Sequence, residues 1–287
     1  MSATALALIL IAAIAHATWN LFSKQASDAG TACFVWLMSA AAAAIYAPVL
    51  AVSLIASPPH LTARSWVFLA GTAVLQTGYF VFLLRAYRAG DLSAVYPIGR
   101  GSGALLAALG GIVLLGERPG PVGLAGIGLL VVGVTVVGMP AHTGHSPATA
   151  AILFALATGI FIAAYTLWDK IAVTTVGNPP LLQGYAALAG MVPMLAPFAL
   201  ADAERTRLVW RRYRRQVLGA ALLSPLAYVL VLVALTFSSV AAVAPAREVS
   251  VLFGVVLGRR MLGEGGLARR LAGAAAIVAG IIAVTVG

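Results

Sequence analysis

Two arginines, Arg100 and Arg247, lie inside apolar stretches, three and two residues after a proline. A charge near the middle of a hydrocarbon layer costs ~3 kcal/mol on insertion scales and over ~10 kcal/mol for an isolated helix in simulation. Each guanidinium therefore needs a compensating partner. One reading turns both onto a wet cavity, where their planar forks grip a carboxylate or a phosphate-like oxyanion. The other pairs Arg247 with Glu248 or another acid, and lets Arg100 snorkel to the interface from near a helix end.

Glu248 reads as the only acid clearly within a hydrophobic segment, which makes it a candidate proton carrier or one half of an ion pair to a neighbouring helix. His16, Asn20 and Lys24 recur at i, i+4 and i+8, so they form one polar stripe on a helix, with Trp19 and Ser23 beside it. His16 is the second proton-coupling candidate, because imidazole titrates in the physiological range. Asn20 and Trp19 are candidate substrate contacts, together with Tyr79, Tyr96 and Tyr165. Gln76 and Tyr228 are further candidates for the same lining, since small-molecule pockets combine apolar walls with a few placed polar groups. Taken singly, each is more often an interhelical hydrogen bond or an interface anchor.

Other chemistries fail for want of context. Gly99-Arg100-Gly101-Ser102-Gly103 resembles a phosphate-binding loop, but it follows no predicted strand, and close helix contact or a local break at Pro97 accounts for it better. His142 and His145 supply two ligands without Cys or acidic support, which does not define a metal site. Cys33 is the only cysteine, so no disulfide or CxxC site forms within one chain. Neither HExxH, GxSxG nor a Walker A sequence occurs. No metal, cofactor or enzymatic activity is expected.

The elements that hold these residues follow from composition. Of 287 residues, 62% are hydrophobic and 9% charged, far below the quarter of charged residues that a soluble surface needs. The solvent is lipid. The net charge of +10 comes from basic residues between or at the ends of apolar segments, where they orient helices and meet anionic headgroups rather than nucleic acid. With about 20 apolar residues required per crossing, ten segments are predicted: Ala3 to Phe22, Ala32 to Ala56, Trp66 to Leu84, Leu92 to Leu115, Val122 to Met139, Ala148 to Trp168, Leu181 to Leu200, Val217 to Phe237, Val240 to Leu257 and Leu267 to Val286. The longest connector is the Arg-rich stretch from Asp202 to Gln216.

The chain also repeats itself. Trp19-Asn20-Leu21-Phe22-Ser23-Lys24 aligns without gaps to Tyr165-Thr166-Leu167-Trp168-Asp169-Lys170, Tyr96-Pro97 to Ala244-Pro245, and Leu114-Leu115-Gly116-Glu117 to Met261-Leu262-Gly263-Glu264, at offsets of 146 to 148 residues. Two five-helix units follow, 1–140 and 147–287. An odd number of crossings per unit makes the copies enter the membrane from opposite sides, with a site between them that opens either way.

Ten helices, duplicated five-helix units and a Gly-Glu after the fourth helix of each resemble the EamA-like branch of the drug/metabolite transporter superfamily, over essentially the whole chain. The resemblance implies secondary transport of metabolites without ATP hydrolysis, often export of amino acids or related compounds. It implies a cavity lined by the first, third, fourth, sixth, eighth and ninth helices. It makes the fifth and tenth supports for packing between the halves, and Glu117 and Glu264 structural residues at helix ends. The expected partners are a small-molecule substrate and the lipid bilayer, with a homodimer as a candidate assembly, and the expected location is a bacterial inner membrane. An accessory subunit that transports nothing is the alternative reading. A membrane-embedded transferase fits less well, because the loops are short and poor in Asp and Glu.

The resemblance implies cytoplasmic termini, which puts Lys24, Arg85, Arg88, the arginines from Arg205 to Arg215 and the cluster Arg259, Arg260, Arg269 and Arg270 outside, against Arg64, Arg118 and Lys170 inside. The positive-inside rule favours the reverse. In a Cys33→Ala background, an Arg211→Cys variant is expected to react with a membrane-impermeant maleimide only after spheroplasts are permeabilised; labelling of intact spheroplasts would give the opposite orientation.

Overall fold

The computed structural model describes residues 2–26, 30–89, 92–138, 149–250 and 267–286. Among these residues there is no strand, and there are ten α-helices. They are α1 (Ala3–Gln25), α2 (Thr31–Ala56), α3 (Ala63–Ala89), α4 (Leu92–Leu114), α5 (Pro121–Gly138), α6 (Thr149–Ile171), α7 (Pro180–Ala201), α8 (Ala203–Phe237), α9 (Val240–Ala246) and α10 (Leu267–Val286). Six of them, α1, α2, α3, α6, α7 and α8, are long and apolar enough to cross a membrane. Large apolar side chains stand outward, among them Val52 at 67% exposure, Val113 at 76% and Phe198 at 66%. Such a surface is stable against hydrocarbon and not against water.

Packing follows a two-fold pattern between the first five helices and the last five. α1 rests on α8 as α6 rests on α3, α2 meets α8 as α7 meets α3, and α4 meets α6 as α1 meets the turn after α9. The pairs α2/α7, α4/α9 and α5/α10 are their own counterparts. Small residues allow the closest of these approaches: Gly133 faces Gly273 and Ile277, and Gly280 faces Gly126 and Leu130, across α5 and α10.

Two predicted boundaries are corrected. The Arg-rich stretch expected as a connector is instead the start of α8, whose 35 residues span about 52 Å at 1.5 Å each, well beyond a ~30 Å hydrocarbon core. Non-helical backbone at Tyr213 (φ −121°, ψ 21°) marks the kink between its two parts. The sixth segment, cut at Trp168 by hydropathy, continues through Asp169 and Lys170 into a π turn, Ala172–Val176. Within the ninth, α9 ends at Ala246 and passes into a 3₁₀ turn, Arg247–Val249, and its predicted remainder, 251–257, lies outside the described residues. His142, His145, Gly263 and Glu264 lie outside the described residues.

The Gly116-Glu117 pair acquires a physical role. Gly116 adopts φ +68° and closes α4, with the Leu115 and Glu117 amides both donating to the Gly111 carbonyl, a left-handed cap that glycine makes without strain. The chain then turns so that the Glu117 carboxylate accepts from the Val240 amide at 2.6 Å and the Ala241 amide at 2.8 Å, capping the start of α9. From the opposite side, Lys170 Nζ donates to the Leu235 and Ser238 carbonyls at 2.7 and 2.9 Å, capping the end of α8. The 238–239 linker is thus held between an anion on its amide side and a cation on its carbonyl side.

The glycine cluster around Arg100 is a packing device and not a phosphate loop. Gly99 and Gly103 lie against Ala155, Thr158 and Ile162 of α6, and a Cβ on Gly159 would sit 3.0 Å from the Gly103 nitrogen and 3.1 Å from the Gly99 carbonyl. Backbone atoms cannot move aside as a flexible side chain can. Gly159→Ala is expected to lower the melting temperature in detergent, at a cost of about 1–3 kcal/mol, whereas Gly128→Ala, with nothing within 4 Å, leaves it unchanged or raises it. Glu117→Ala should cost about 1–3 kcal/mol in the same measurement, and Glu117→Gln, which keeps one acceptor oxygen, should recover part of the loss.

Candidate functional site

A cavity between the two halves is lined from α1 by His16 and Trp19, from α3 by Gln76, Tyr79 and Phe80, from α4 by Arg100 and from α6 by Tyr165. Met191 of α7, Tyr228 of α8 and Arg247 of the 3₁₀ turn complete the polar and aromatic part of the wall. Of the helices expected to line it, α1, α3, α4, α6 and α8 do so, the ninth segment reaches it only through Arg247 in the turn after α9, and α7 joins them. Its volume is about 50 Å³, space for roughly three to five waters at ~10–15 Å³ each.

The two arginines converge on this space from corresponding positions of the two units. Arg100 is 2% exposed, carried by α4 where the glycine contacts bring that helix against α6. Arg247 is half-buried and leaves the backbone where α9 gives way to its 3₁₀ turn after Pro245. Its Nη2 donates to the Tyr165 hydroxyl at 3.2 Å and its Nη1 to Thr166 Oγ1 at 3.5 Å. Thr166 spends its own proton on the Ile162 carbonyl at 2.7 Å, which leaves its oxygen free to accept. The guanidinium also lies 5.9 Å from the centre of the Tyr165 ring, a cation–π contact. These partners are neutral. The described lining holds two arginines and no acidic side chain.

Aromatic rings frame the cations. Tyr165 meets Tyr79 edge-on at 5.7 Å and Tyr228 at 6.1 Å, and Trp19 lies 6.2 Å from Phe80. His16 accepts at Nδ1 from Trp19 Nε1 at 3.1 Å, so the imidazole is neutral, with its proton on Nε2. Protonating Nδ1 would break that bond.

The sequence-derived candidates therefore separate. Arg100, Arg247, Trp19, Tyr79, Tyr165, His16, Gln76 and Tyr228 are brought together. Asn20 is outside the lining, its amide donating to the His16 carbonyl at 2.8 Å. The side chains of Tyr96, Glu248 and Lys24 lie outside the described residues.

Sequence reasoning missed one charged residue altogether. Asp169 is fully buried behind the wall formed by Tyr228, whose hydroxyl donates to its Oδ2. Gln183 Nε2 donates to Oδ1 at 2.9 Å and to the Phe68 carbonyl at 3.2 Å, and Asn178 Nδ2 donates to Gln183 Oε1 at 3.0 Å. Glu248 is thus not the only acid within an apolar span. The missed signal was Ile171-Ala172-Val173, an apolar run that resumes directly after Asp169-Lys170 and shows that the helix does not stop there.

Comparison with known proteins agrees with this architecture. The EamA-like transporter family matches residues 3–139 and again residues 149–286. Curated proteins yield no match. One solved structure, described only as a crystal structure of a protein, superposes with a TM-score of 0.74 at 16% identity, over 97% of this chain and 98% of its own, which is a likeness of fold. Two family matches that together span nearly the whole chain, on a helical bundle with a cavity between its halves, identify it: the chain belongs to the EamA-like transporter family and is a multi-pass membrane transporter of the drug/metabolite type.

Proposed function

We propose that this protein is a secondary, gradient-driven transporter of a small anionic or zwitterionic metabolite, such as an amino acid or a related compound. The observation that carries the reading is the convergence of Arg100 and Arg247, one from each five-helix unit, on a cavity whose described lining contains no acid. Two cations in a low-dielectric space attract an oxyanion strongly, because only a few waters are there to compete for them. The forked geometry of guanidinium selects carboxylate or phosphate-like groups, and the Trp19, Tyr79 and Tyr165 rings supply apolar and edge contacts to the remainder of the solute.

Two inverted units, 1–140 and 147–287, crossing the membrane ten times in all, suit alternating access. The paired packing of α1/α8 with α3/α6 lets one unit rock against the other about the cavity, exchanging which end is closed. A bacterial inner membrane supplies both the gradient and the metabolite pool.

Purified protein in proteoliposomes should take up one anionic or zwitterionic class from a pool of amino acids, succinate and phosphate read by mass spectrometry. Arg247→Ala and Arg100→Ala are each expected to raise the half-saturating concentration about 10- to 100-fold, equivalent to the ~1.5–3 kcal/mol of a charge-assisted hydrogen bond. Arg247→Lys should recover less than half of that loss in free energy, because the ammonium keeps the charge and loses the fork. Folded, correctly inserted protein that moves no solute of the pool would sink the proposal.

A further inference from the structure

We propose that Asp169, reached from the cavity through Tyr228, is the proton-binding site that couples transport to a proton gradient. The inference rests on the transporter reading above and adds the site at which the driving ion binds.

Asp169 is held by neutral groups from α7 and α8. Tyr228 of α8 and Gln183 of α7 donate to its two oxygens. Thr72 of α3 lies 3.5 Å from the Tyr228 hydroxyl, and Tyr165 stands one turn earlier on its own helix. Among the described residues no cation lies within the 4.0 Å of an ion pair. The adjacent Lys170 turns away to the Leu235 and Ser238 carbonyls. Arg247 acts only from a distance, across Tyr165. A fully buried carboxyl without a counter-cation is poorly explained as structural glue, since a Ser or Asn would satisfy the same donors without burying a charge.

The internal duplication supplies an independent argument. Asp169 corresponds to Ser23 in the first unit, and Ser23 spends its hydroxyl on the Trp19 carbonyl of its own helix at 3.0 Å. Positions that serve packing recur in both units, as the glycines of α5 and α10 do, but the carboxyl is present in one unit only. The architecture does not require it.

Tyr228 connects this site to the cavity. Its ring lines the cavity, and its hydroxyl is bonded to Asp169 Oδ2. Gln183 and Asn178 behind it are amides, which hold the carboxyl and do not relay protons. Proton entry is a concerted hop. The Tyr228 O–H bond breaks as an O–H bond forms on Oδ2, and the Tyr228 oxygen takes a proton from a hydronium in the cavity, which is left as water, so the net change is one proton added to the carboxylate. Asp169 then donates to Tyr228, and the Tyr228 hydroxyl is turned into a donor towards the cavity. Loss of the carboxylate charge also leaves the field of Arg247 less opposed. Both effects strengthen binding of an anion in the cavity when the proton is bound, and by reciprocity the anion strengthens binding of the proton.

The test uses Asp169→Asn, which fixes the neutral state, in proteoliposomes with the same pool of amino acids, succinate and phosphate. Wild type should accumulate its solute uphill when a pH gradient is imposed, and the variant should lose uphill accumulation while keeping solute counterflow, which needs no net proton movement. Counterflow itself shows that the variant is folded. Tyr228→Phe, which keeps the carboxyl and removes the hydroxyl path, should reduce gradient-driven uptake at least tenfold. Independently of any solute, the infrared difference spectrum between acid and alkaline pH should contain a protonated-carboxyl band that Asp169→Asn lacks. Uphill accumulation by Asp169→Asn at the wild-type rate, wild-type accumulation indifferent to pH, or an unchanged infrared band in the variant would each overturn the assignment. Absence of any solute movement in wild type would instead remove the transporter reading, leaving the infrared result to stand or fall alone.

Discussion

Hydrocarbon offers no hydrogen bonds, so every charge and every polar atom inside this bundle has to be met by another part of the chain. That constraint organises the structure around a few long-range contacts. Arg247 finds Tyr165 and Thr166, Lys170 finds the carbonyls at the end of α8, and Glu117 finds the amides at the start of α9. None of these partners is a neighbour in sequence. Each contact ties one helix end or one cavity wall to another helix, and together they fix the short α9 segment that delivers Arg247 to the centre.

Duplication and divergence act on different parts of the molecule. The scaffold keeps the two-fold relation: α5 with α10, α2 with α7, and the reciprocal pairs around the cavity. Functional groups keep it only where symmetry serves them. Arg100 and Arg247 are retained as a pair and face one space. Trp19 and Tyr165 occupy equivalent positions with different chemistry, one serving as donor to His16 and the other as acceptor for Arg247. Asp169 has no acidic counterpart. On the proposed reading, a solute held the same way in both access states is well served by a symmetric pair of cations, whereas a single driving ion needs one site.

The candidate site was legible in part. Arginines in apolar stretches stand out because burial of a charge is so costly, and Tyr79 and Tyr165 were found because their helices present polar groups on an apolar background. Asn20 was assigned to the cavity by its place on the His16 stripe. Half-buried, it donates to the His16 carbonyl of its own helix and does not line the cavity. Asp169 was overlooked because Asp-Lys reads as the polar end of a helix when the helix is judged by hydropathy alone. What makes it interior is the pair of amide and phenol donors from α7 and α8, which lie 14 and 59 residues away.

By itself the sequence determined the solvent, the helical class, the duplication and the two intramembrane cations, since composition, segment length and internal similarity are local properties that survive without knowing which helix touches which. The Gly-Glu signature was visible too, but not its purpose. Only the tertiary structure decided that Glu117 caps a helix more than a hundred residues away, that the Arg-rich connector is helical, that α7 joins the cavity wall, and that Asp169 stands behind Tyr228. Those outcomes depend on which side chains face each other across helix interfaces, and a one-dimensional pattern of apolar and polar residues carries no record of that pairing.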